Sequence, residues 1–203
     1  VKDSVPLYEK TSVDEFYIDL TGMDTFFGSH KLASELRQKV IKETGLPISY
    51  GLSQNKTVSK IATGEAKPNN EIRIVKGDEK PFLSPLSVRK IPMVGEVTYR
   101  NLCDLGIKQI KTIQEMPMEM MGKVFKKNGI SIWKKANGID NSPVVQYKER
   151  KSISTERTFD KDTIDVNKLE SILVAMAENL IYQLRRGNKF TACITLKIRY
   201  SDF

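Results

Sequence analysis

Residues 12–19 read Ser-Val-Asp-Glu-Phe-Tyr-Ile-Asp, and they decide how the first part of the chain is interpreted. Polar and apolar side chains alternate from Glu15 to Leu20, as they do in a strand with one buried face. Thr21 and Gly22 follow, and a glycine at this place favours a turn. The stretch therefore predicts a short strand whose beginning is acidic.

Two neighbouring acids occupy the start of this strand. Asp14 and Glu15 would point to opposite faces of an ideal strand, so they can meet at one site only if the chain bulges or turns around Ser12–Asp14. Two ionised carboxylates at such a site repel each other unless a cation neutralises them, and Mg²⁺ suits a site made of oxygen ligands. The alternative interpretation is an exposed acidic strand end without a metal.

The following residues predict alternating helices and strands up to about residue 80. Ser29 is the expected N-cap of the first helix, and Gly45 is its expected stop signal. The predicted elements are a helix from Ser29 to Thr44, a strand at 47–52, a short helix carrying Val58, Ile61 and Ala62, and a strand at 72–75. This order indicates an α/β-type or α+β layer.

The pattern changes after residue 83. Residues 84–138 predict short helices separated by glycines, and residues 140–151 resemble a polar linker. The rest predicts a strand at 153–159, a helix at 166–186 and a final strand at 191–200. In the last strand Ile194, Leu196, Ile198 and Tyr200 would pack on the helix, while Thr195, Lys197, Arg199 and Ser201 would form a basic face. Because two strands and one helix make an incomplete sheet, we expect the chain to be an internal segment of a longer protein.

Composition and charge restrict the class of protein. The chain has 203 residues, of which 39% are hydrophobic and 29% charged, so it can bury a core. Its net charge of +8 is uneven: residues 1–83 hold 12 basic and 12 acidic side chains, 84–143 hold 10 and 5, and 144–203 hold 11 and 8. A neutral first region followed by a basic remainder is typical of a protein whose first part catalyses a reaction and whose remainder binds a polyanion.

Cysteine and histidine are too scarce for several kinds of site. Two cysteines far apart in sequence predict neither a disulfide framework nor a zinc site, and a single histidine, His30, argues against a site with several histidine ligands. No apolar run is long enough to span a membrane. A reduced, cytoplasmic location is the expectation.

A second polar motif follows the predicted strand at 47–52. Residues 50–62 read Tyr-Gly-Leu-Ser-Gln-Asn-Lys-Thr-Val-Ser-Lys-Ile-Ala, and Ala-Lys-Pro-Asn follows at 66–69. Lysines thus lie on a helix and in the turn after it. Lys67, next to a rigid proline, could present its charge to a triphosphate, although most helical lysines are simply solvated.

The two motifs, in this order, resemble those of the Y-family DNA polymerases of the DinB or polymerase IV type. Residues 12–22 look like that family's palm signature, and 50–69 like its second palm motif. The likeness continues through Ile91-Pro-Met-Val-Gly-Glu-Val-Thr98, which resembles the thumb's helix–hairpin–helix. It ends with 151–159 and 196–203, which resemble parts of the little-finger domain. Four motifs in the family's order make the resemblance specific.

The resemblance implies a multidomain α+β protein. Residues 1–83 would be a partial palm, an α/β layer that carries the catalytic site, and 84–143 an all-helical thumb with the helix–hairpin–helix. Residues 144–151 would be a linker, and 152–203 a partial α+β little-finger domain. The family's first palm strand, its metal-binding aspartate and its fingers would be absent from this segment, as would the end of the little finger.

The resemblance also implies an activity and its site. The whole protein is expected to carry out template-directed, low-fidelity translesion DNA synthesis in repair, by a two-metal mechanism; the alternative is a DNA-binding scaffold with a degenerate palm. Asp14 and Glu15 would be the catalytic carboxylates and metal ligands, and Lys67 would bind the nucleotide. The expected DNA contacts are Val94, Gly95, Val97, Thr98, Lys197 and Arg199.

The same resemblance supplies the expected partners and two departures from the family. The partners are two Mg²⁺ ions, with Mn²⁺ as an alternative, primer–template DNA, deoxynucleoside triphosphates, and a sliding clamp bound through a segment outside this chain. The hairpin usually carries two glycines, but Met93 replaces the first, so only Gly95 would supply an unrestricted backbone. Gly64 replaces an acidic residue of the second palm motif.

Overall fold

The computed structural model describes residues 5, 7–23, 28–146 and 150–200. The chain divides into two compact units, Val1–Tyr147 and Lys148–Phe203, each with its own fold. Within the described residues, no helix is both long and apolar enough to cross a membrane.

The first unit begins with an antiparallel hairpin. Strand β1 (Leu7–Lys10) pairs with β2 (Phe16–Asp19), and Glu9 lies opposite Tyr17. The strand predicted from the alternating pattern is β2, although it is shorter than the predicted 15–20. Sequence analysis did not predict β1.

A second, parallel sheet lies in the same unit. It is built from β3 (Tyr50–Leu52) and β4 (Glu71–Arg73), with α2 (Lys56–Glu65) as the crossover between them and α1 (Ser29–Thr44) before them. The predicted order of helices and strands is confirmed, and Gly45 ends α1 in the left-handed conformation, with φ of 71°. The N-cap prediction is wrong, since Gly28 holds that position and Ser29 is the first helical residue.

Helix α2 packs unusually close to β3. A Cβ built on Gly51 would lie 2.4 Å from the carbonyl oxygen of Ser59 and 2.6 Å from the Cβ of Ala62. The Gly51 N–H also donates a hydrogen bond to the Thr63 hydroxyl, at 2.8 Å. Only glycine permits this approach, so the residue fixes where α2 lies on the sheet.

Residues 79–136 of the first unit are mainly helical, as predicted. They contain α3 (Glu79–Leu83), a short 3₁₀ helix (Val88–Lys90), α4 (Glu96–Asp104), α5 (Ile110–Glu115) and α6 (Met118–Ala136). One cluster of buried apolar side chains extends from Val58 in α2 to Ala136 in α6. The α/β layer and the helical region therefore share a single core.

The second unit contains one long helix, α7 (Val166–Arg186), with the predicted bounds. The Asp165 side chain caps it by accepting a hydrogen bond from the Lys168 N–H, at 3.1 Å. Most of the predicted inward face is half-buried, at Leu169, Ile172, Met176, Leu180 and Leu184, whereas Leu173 is exposed.

The two strands predicted for this unit do not form among its described residues, 150–200. The segments 153–159 and 191–200 have no ladder partner, and Ile194, Leu196, Ile198 and Tyr200 are exposed rather than packed on α7. A strand needs a neighbour for its backbone hydrogen bonds, and alternation along one segment cannot supply it. Ser201, the last residue of the predicted basic face, lies outside the described residues.

Candidate functional site

The turn between β1 and β2 carries both acids of the opening motif. The Ser12 hydroxyl donates to Asp14 Oδ1 at 2.7 Å and accepts a hydrogen bond from the Glu15 N–H at 3.1 Å. The Thr11 N–H closes the turn on the Glu15 carbonyl oxygen, at 3.0 Å. The chain thus turns at residues 12–14, as the sequence requires if the two acids are to serve one site.

Asp14 lies at the exposed tip of this turn and is poised to be ionised. The hydrogen bond from Ser12 lowers the pKa of its carboxyl below the ordinary value, with a further backbone hydrogen bond and the positive charges of Lys67 and Lys60 acting in the same direction. Lys67 and Lys60 are therefore near enough for their charges to act on Asp14.

Glu15 is bound by a lysine of α2. The Lys60 Nζ lies 2.7 Å from Glu15 Oε2, and the two side chains are 43% and 48% exposed. Lys60 also contributes to the lowered pKa of Asp14, so the charge of one lysine acts on both acids.

A second ion pair, more buried than that of Lys60 and Glu15, lies one turn of α2 before Lys60. Lys56 binds Glu9 of β1, and these side chains are only 14% and 19% exposed. The Lys56 ammonium also lies 5.2 Å from the ring centre of Tyr17. Burial, with smaller contributions from Glu15 and other nearby acids, raises the pKa of Tyr17 to about 12. This pair attaches the hairpin to α2.

Residues 138–145, which we call the return segment, lead the chain back from α6 to this place. Asn55 Nδ2 donates to the Gly138 carbonyl oxygen at 2.9 Å, and Lys56 Nζ donates to that of Pro143 at 2.8 Å. The Val145 N–H donates to Glu9 Oε2, also at 2.8 Å. The return segment is thereby fixed to both the hairpin and the start of α2.

Asp140 of the return segment caps α2. Its Oδ2 accepts hydrogen bonds from the backbone N–H and the hydroxyl of Thr57, at 3.1 and 2.7 Å. Burial acts to raise the pKa of Asp140, but the hydrogen bonds from Ser142 and Thr57 outweigh it and hold the pKa below the ordinary value. A carboxylate at a helix N-terminus is also favoured by the helix dipole.

The donor set of the turn fits a hard cation. Asp14 and Glu15 offer exposed carboxylate oxygens, and Mg²⁺ commonly binds one or two carboxylates and completes its shell with water and substrate phosphates. No group of three His, Cys, Asp or Glu side chains suited to a metal occurs among the described residues. The turn would therefore supply only part of a metal's coordination shell.

Lys67 lies in the exposed turn that follows α2. Arg37 of α1 fixes this turn, since its Nη2 donates to the carbonyl oxygen and the side-chain Oδ1 of Asn69, at 2.6 and 2.8 Å. Lys67 is close enough to Asp14 to lower its pKa. A lysine held beside the acidic turn suits the binding of phosphate groups.

The hairpin at 91–98 leads into the N-terminus of α4, and one of its non-glycine residues has a positive φ. Met93 takes a positive φ of 79° and is 80% exposed, whereas Gly95 has φ of −80° and ψ of 179°, which any residue adopts. By the resemblance, glycine is usual at both positions, and here only Gly95 was expected to supply an unrestricted backbone. The structure places the positive φ at Met93, where a side chain is disfavoured.

The first turn of α4 leaves backbone N–H groups without a partner inside the helix. The first intrahelical bond of α4 runs from the Tyr99 N–H to the Gly95 carbonyl, at 2.9 Å, so the preceding N–H groups, including those of Val97 and Thr98, have no carbonyl one turn back. Val94 does not share this role, because it is buried and its N–H donates to Ile91 at 3.1 Å. That candidate contact is withdrawn.

Lys197 and Arg199 both lie near an acid of the second unit. Lys197 Nζ is 3.2 Å from Glu156 Oε1, and this hydrogen bond, together with the charges of Lys197 and Arg199, lowers the pKa of that carboxyl. The predicted basic surface is thus partly neutralised, although both side chains are exposed.

Several residues of the site were missed by sequence analysis. Lys60 and Lys56 were seen only as lysines on a helix, and Glu9 and Asp140 were not singled out. Their roles come from contacts across 45 to 136 residues, which no local pattern reveals. The spacing of Lys56 and Lys60, four residues apart on one helix face, was the available signal.

Comparison with known proteins relates this chain to two family models and to DNA polymerases. A family model described as the impB/mucB/samB family matches residues 1–64, and the model of that family's C-terminal domain matches residues 150–203. The chain is 34% identical to DNA polymerase IV of Dehalococcoides mccartyi and 35% identical to that of Clostridium acetobutylicum, in each case over the whole chain and 52% of the relative. The chain thus spans about half the length of the curated relatives it matches.

Solved structures show the same relationship. DinB from Sulfolobus solfataricus is 27% identical with a TM-score of 0.63, over 70% of this chain and 43% of that one. A Y-family DNA polymerase chimera is 25% identical with a TM-score of 0.74, over 89% and 53%. The resemblance seen in the motifs is confirmed, as is the α+β class: two models of the impB/mucB/samB family each match a part of this chain, and the whole chain is similar to about half the length of DNA polymerase IV relatives.

Proposed function

We propose that the intact protein is a DNA-directed DNA polymerase that performs low-fidelity translesion synthesis. It transfers a nucleotide from a deoxynucleoside triphosphate to the 3′-hydroxyl of a primer paired with a template. One observation carries this proposal: the turn between β1 and β2 holds Asp14 and Glu15 beside Lys60 and Lys67. Adjacent acids can bind metal ions, and the neighbouring lysines can bind the phosphates of a triphosphate.

The residues of the chain take separate tasks in this reaction. Asp14 and Glu15 would hold divalent cations, which in this family we take to be Mg²⁺, with Mn²⁺ as an alternative. When bound, such ions activate an attacking hydroxyl and stabilise a leaving pyrophosphate. Lys67 binds the phosphates of the nucleotide as a point charge, and Ser12 holds Asp14 in place by its hydrogen bond.

The remaining parts of the chain bind primer–template DNA. We assign residues 1–83 to a partial palm, 84–143 to a thumb, 144–151 to a linker and 152–203 to a partial little finger. The N–H groups of Gly95, Val97 and Thr98 face phosphate oxygens, since a helix N-terminus binds anions without reading sequence. Lys197 and Arg199 add charged contacts to the backbone of the duplex.

A DNA-binding scaffold without chemistry is the second candidate. It is favoured by one observation: the turn supplies two carboxylates, and Lys60 already neutralises one of them. The 203-residue chain by itself is expected to behave in this way. Metal-dependent primer extension by the isolated chain would contradict that expectation.

The replacement Asp14→Asn in the intact protein tests the proposed activity. It removes the charge that a metal requires while keeping the size and the hydrogen bond to Ser12. We expect the rate of metal-dependent primer extension to fall by about 10²–10³-fold, the usual cost of losing one preorganised electrostatic group. Asp19→Asn is the matched control, because the Asp19 carboxylate accepts hydrogen bonds from Thr21 and has no part in the proposed site. Equal rates for Asp14→Asn and Asp19→Asn would refute the assignment.

A further inference from the structure

Two lysines on one face of α2 bind two acids of the hairpin, but the pairs differ in burial. Lys56 with Glu9 is nearly enclosed, and the bond from Lys56 to Pro143 further fixes it. In the pair of Lys60 and Glu15, each side chain is about half exposed. The first pair is therefore a fixed structural contact, whereas the second can open to solvent without exposing a buried charge.

The charges around the turn balance in this structure. Asp14 and Glu15 contribute two negative charges, and Lys60 and Lys67 contribute two positive ones close enough to act on Asp14. A divalent cation that approaches this turn meets acids that are already compensated. For Glu15 to serve as a ligand, its carboxylate has to exchange the ammonium group for the metal.

We propose that Lys60 is a positioning residue that holds the Glu15 carboxylate in the absence of metal and competes with a divalent cation for it. The inference rests on the proposed function, because it takes Asp14 and Glu15 as the metal ligands. The ion pair keeps the Glu15 carboxylate directed toward α2, so its position is restricted before the cation arrives. Binding of the cation releases the Lys60 ammonium on the side of the turn where Lys67 lies.

Metal binding to the full chain, in the absence of nucleotide and DNA, tests this competition. Free Mn²⁺ is measured by electron paramagnetic resonance during a titration of the wild-type protein and of Lys60→Met. Removing one positive charge a few ångströms from a divalent cation should tighten Mn²⁺ binding by about three- to tenfold at moderate ionic strength. Lys60→Gln, which also lacks the charge but keeps a hydrogen-bond donor, should give the same result.

Lys111→Met is the matched control for the charge change. Lys111 forms an exposed pair with Glu115 at 3.7 Å on α5, so its loss alters the net charge equally without touching the acidic turn. Its Mn²⁺ affinity should stay within twofold of the wild type. Circular dichroism of each variant confirms that the fold is kept.

The same titration separates the two proposals. If Asp14→Asn weakens Mn²⁺ binding but neither Lys60 variant tightens it, the competition is refuted and the metal assignment stands. If Asp14→Asn has no effect on binding, the metal assignment fails, and the competition fails with it. Binding that is detectable only in the Lys60 variants would support the competition most directly.

Discussion

Met93 has a backbone conformation that disfavours its side chain. A non-glycine residue at φ of 79° is strained, and its side chain, 80% exposed, gains little from packing in return. We predict that Met93→Gly raises the free energy of unfolding by about 1 kcal/mol, measured by urea denaturation. Met93→Ala removes the same side chain without relieving the backbone and should give no such gain. Equal stabilisation by both variants would show that the side chain, not φ, is responsible.

Gly51 shows the opposite case, a glycine that no other residue can replace. A methyl group at this position would overlap the backbone of α2 near Ser59. Gly51→Ala should therefore lower the free energy of unfolding by about 1–3 kcal/mol, the usual cost of overpacking. Gly64→Ala serves as a control, since nothing lies within 4 Å of a Cβ built there and alanine favours a helix. The prediction fails if the two variants have similar stability.

At the scale of elements, the N-terminus of α2 depends on the return segment. Asp140 accepts its hydrogen bonds as a carboxylate, and its pKa lies below the ordinary 3.8. A lowered pKa means that this stabilisation is fully present above pH 3.8 and is lost as the pH falls through the folded-state value.

Asp140→Asn tests this contribution to stability. We predict a loss of about 1 kcal/mol at neutral pH, typical of a weakened helix cap. The difference from the wild type should shrink as the pH is lowered below 3.8, because the wild-type carboxylate then becomes protonated. Urea denaturation at pH 7 and at several acidic values provides the measurement. A difference that stays constant over this range would contradict the role of the charge.

Sequence analysis predicted the helices of this protein better than its strands. The bounds of α1 and α7 follow from local signals: apolar spacing, the glycine after α1, and the basic end of α7. Strand β1 has four residues with little alternation, and it forms because β2 lies beside it. The segments 153–159 and 191–200 alternate but lack a neighbour among the described residues, so the pattern alone was misleading.

The candidate site was predictable in its acids but not in their surroundings. Adjacent carboxylates at a strand start indicated Asp14 and Glu15, and the turn that unites them was required by strand geometry. The ion pairs of Lys56 and Lys60 depend on how α2 packs against the hairpin, which the sequence does not display. The resemblance indicated that Met93 replaces a glycine of the family's hairpin. Its positive φ is visible only in the structure.

At the scale of the whole molecule, net positive charge is expected to govern the affinity for DNA. The described part of the second unit presents Lys197 and Arg199 on an exposed segment. We predict that Lys197→Gln and Arg199→Gln each reduce the dependence of log affinity on log salt by about one unit of slope. Fluorescence anisotropy with a primer–template duplex at several salt concentrations measures this. Lys31→Gln on α1 is a control of equal charge change, and an identical reduction by it would mean that the effect is one of net charge only.

The attachment of the return segment has a consequence for how the protein is made. Val145 binds Glu9 across 136 residues, and Asp140 caps a helix that begins 83 residues before it. On a ribosome that adds about 5–20 residues per second, these partners emerge roughly ten seconds apart. In a nascent chain, the hairpin with the acidic turn therefore lacks its contacts to the return segment until translation has passed residue 145. These contacts can form only after the helical region has also been synthesised.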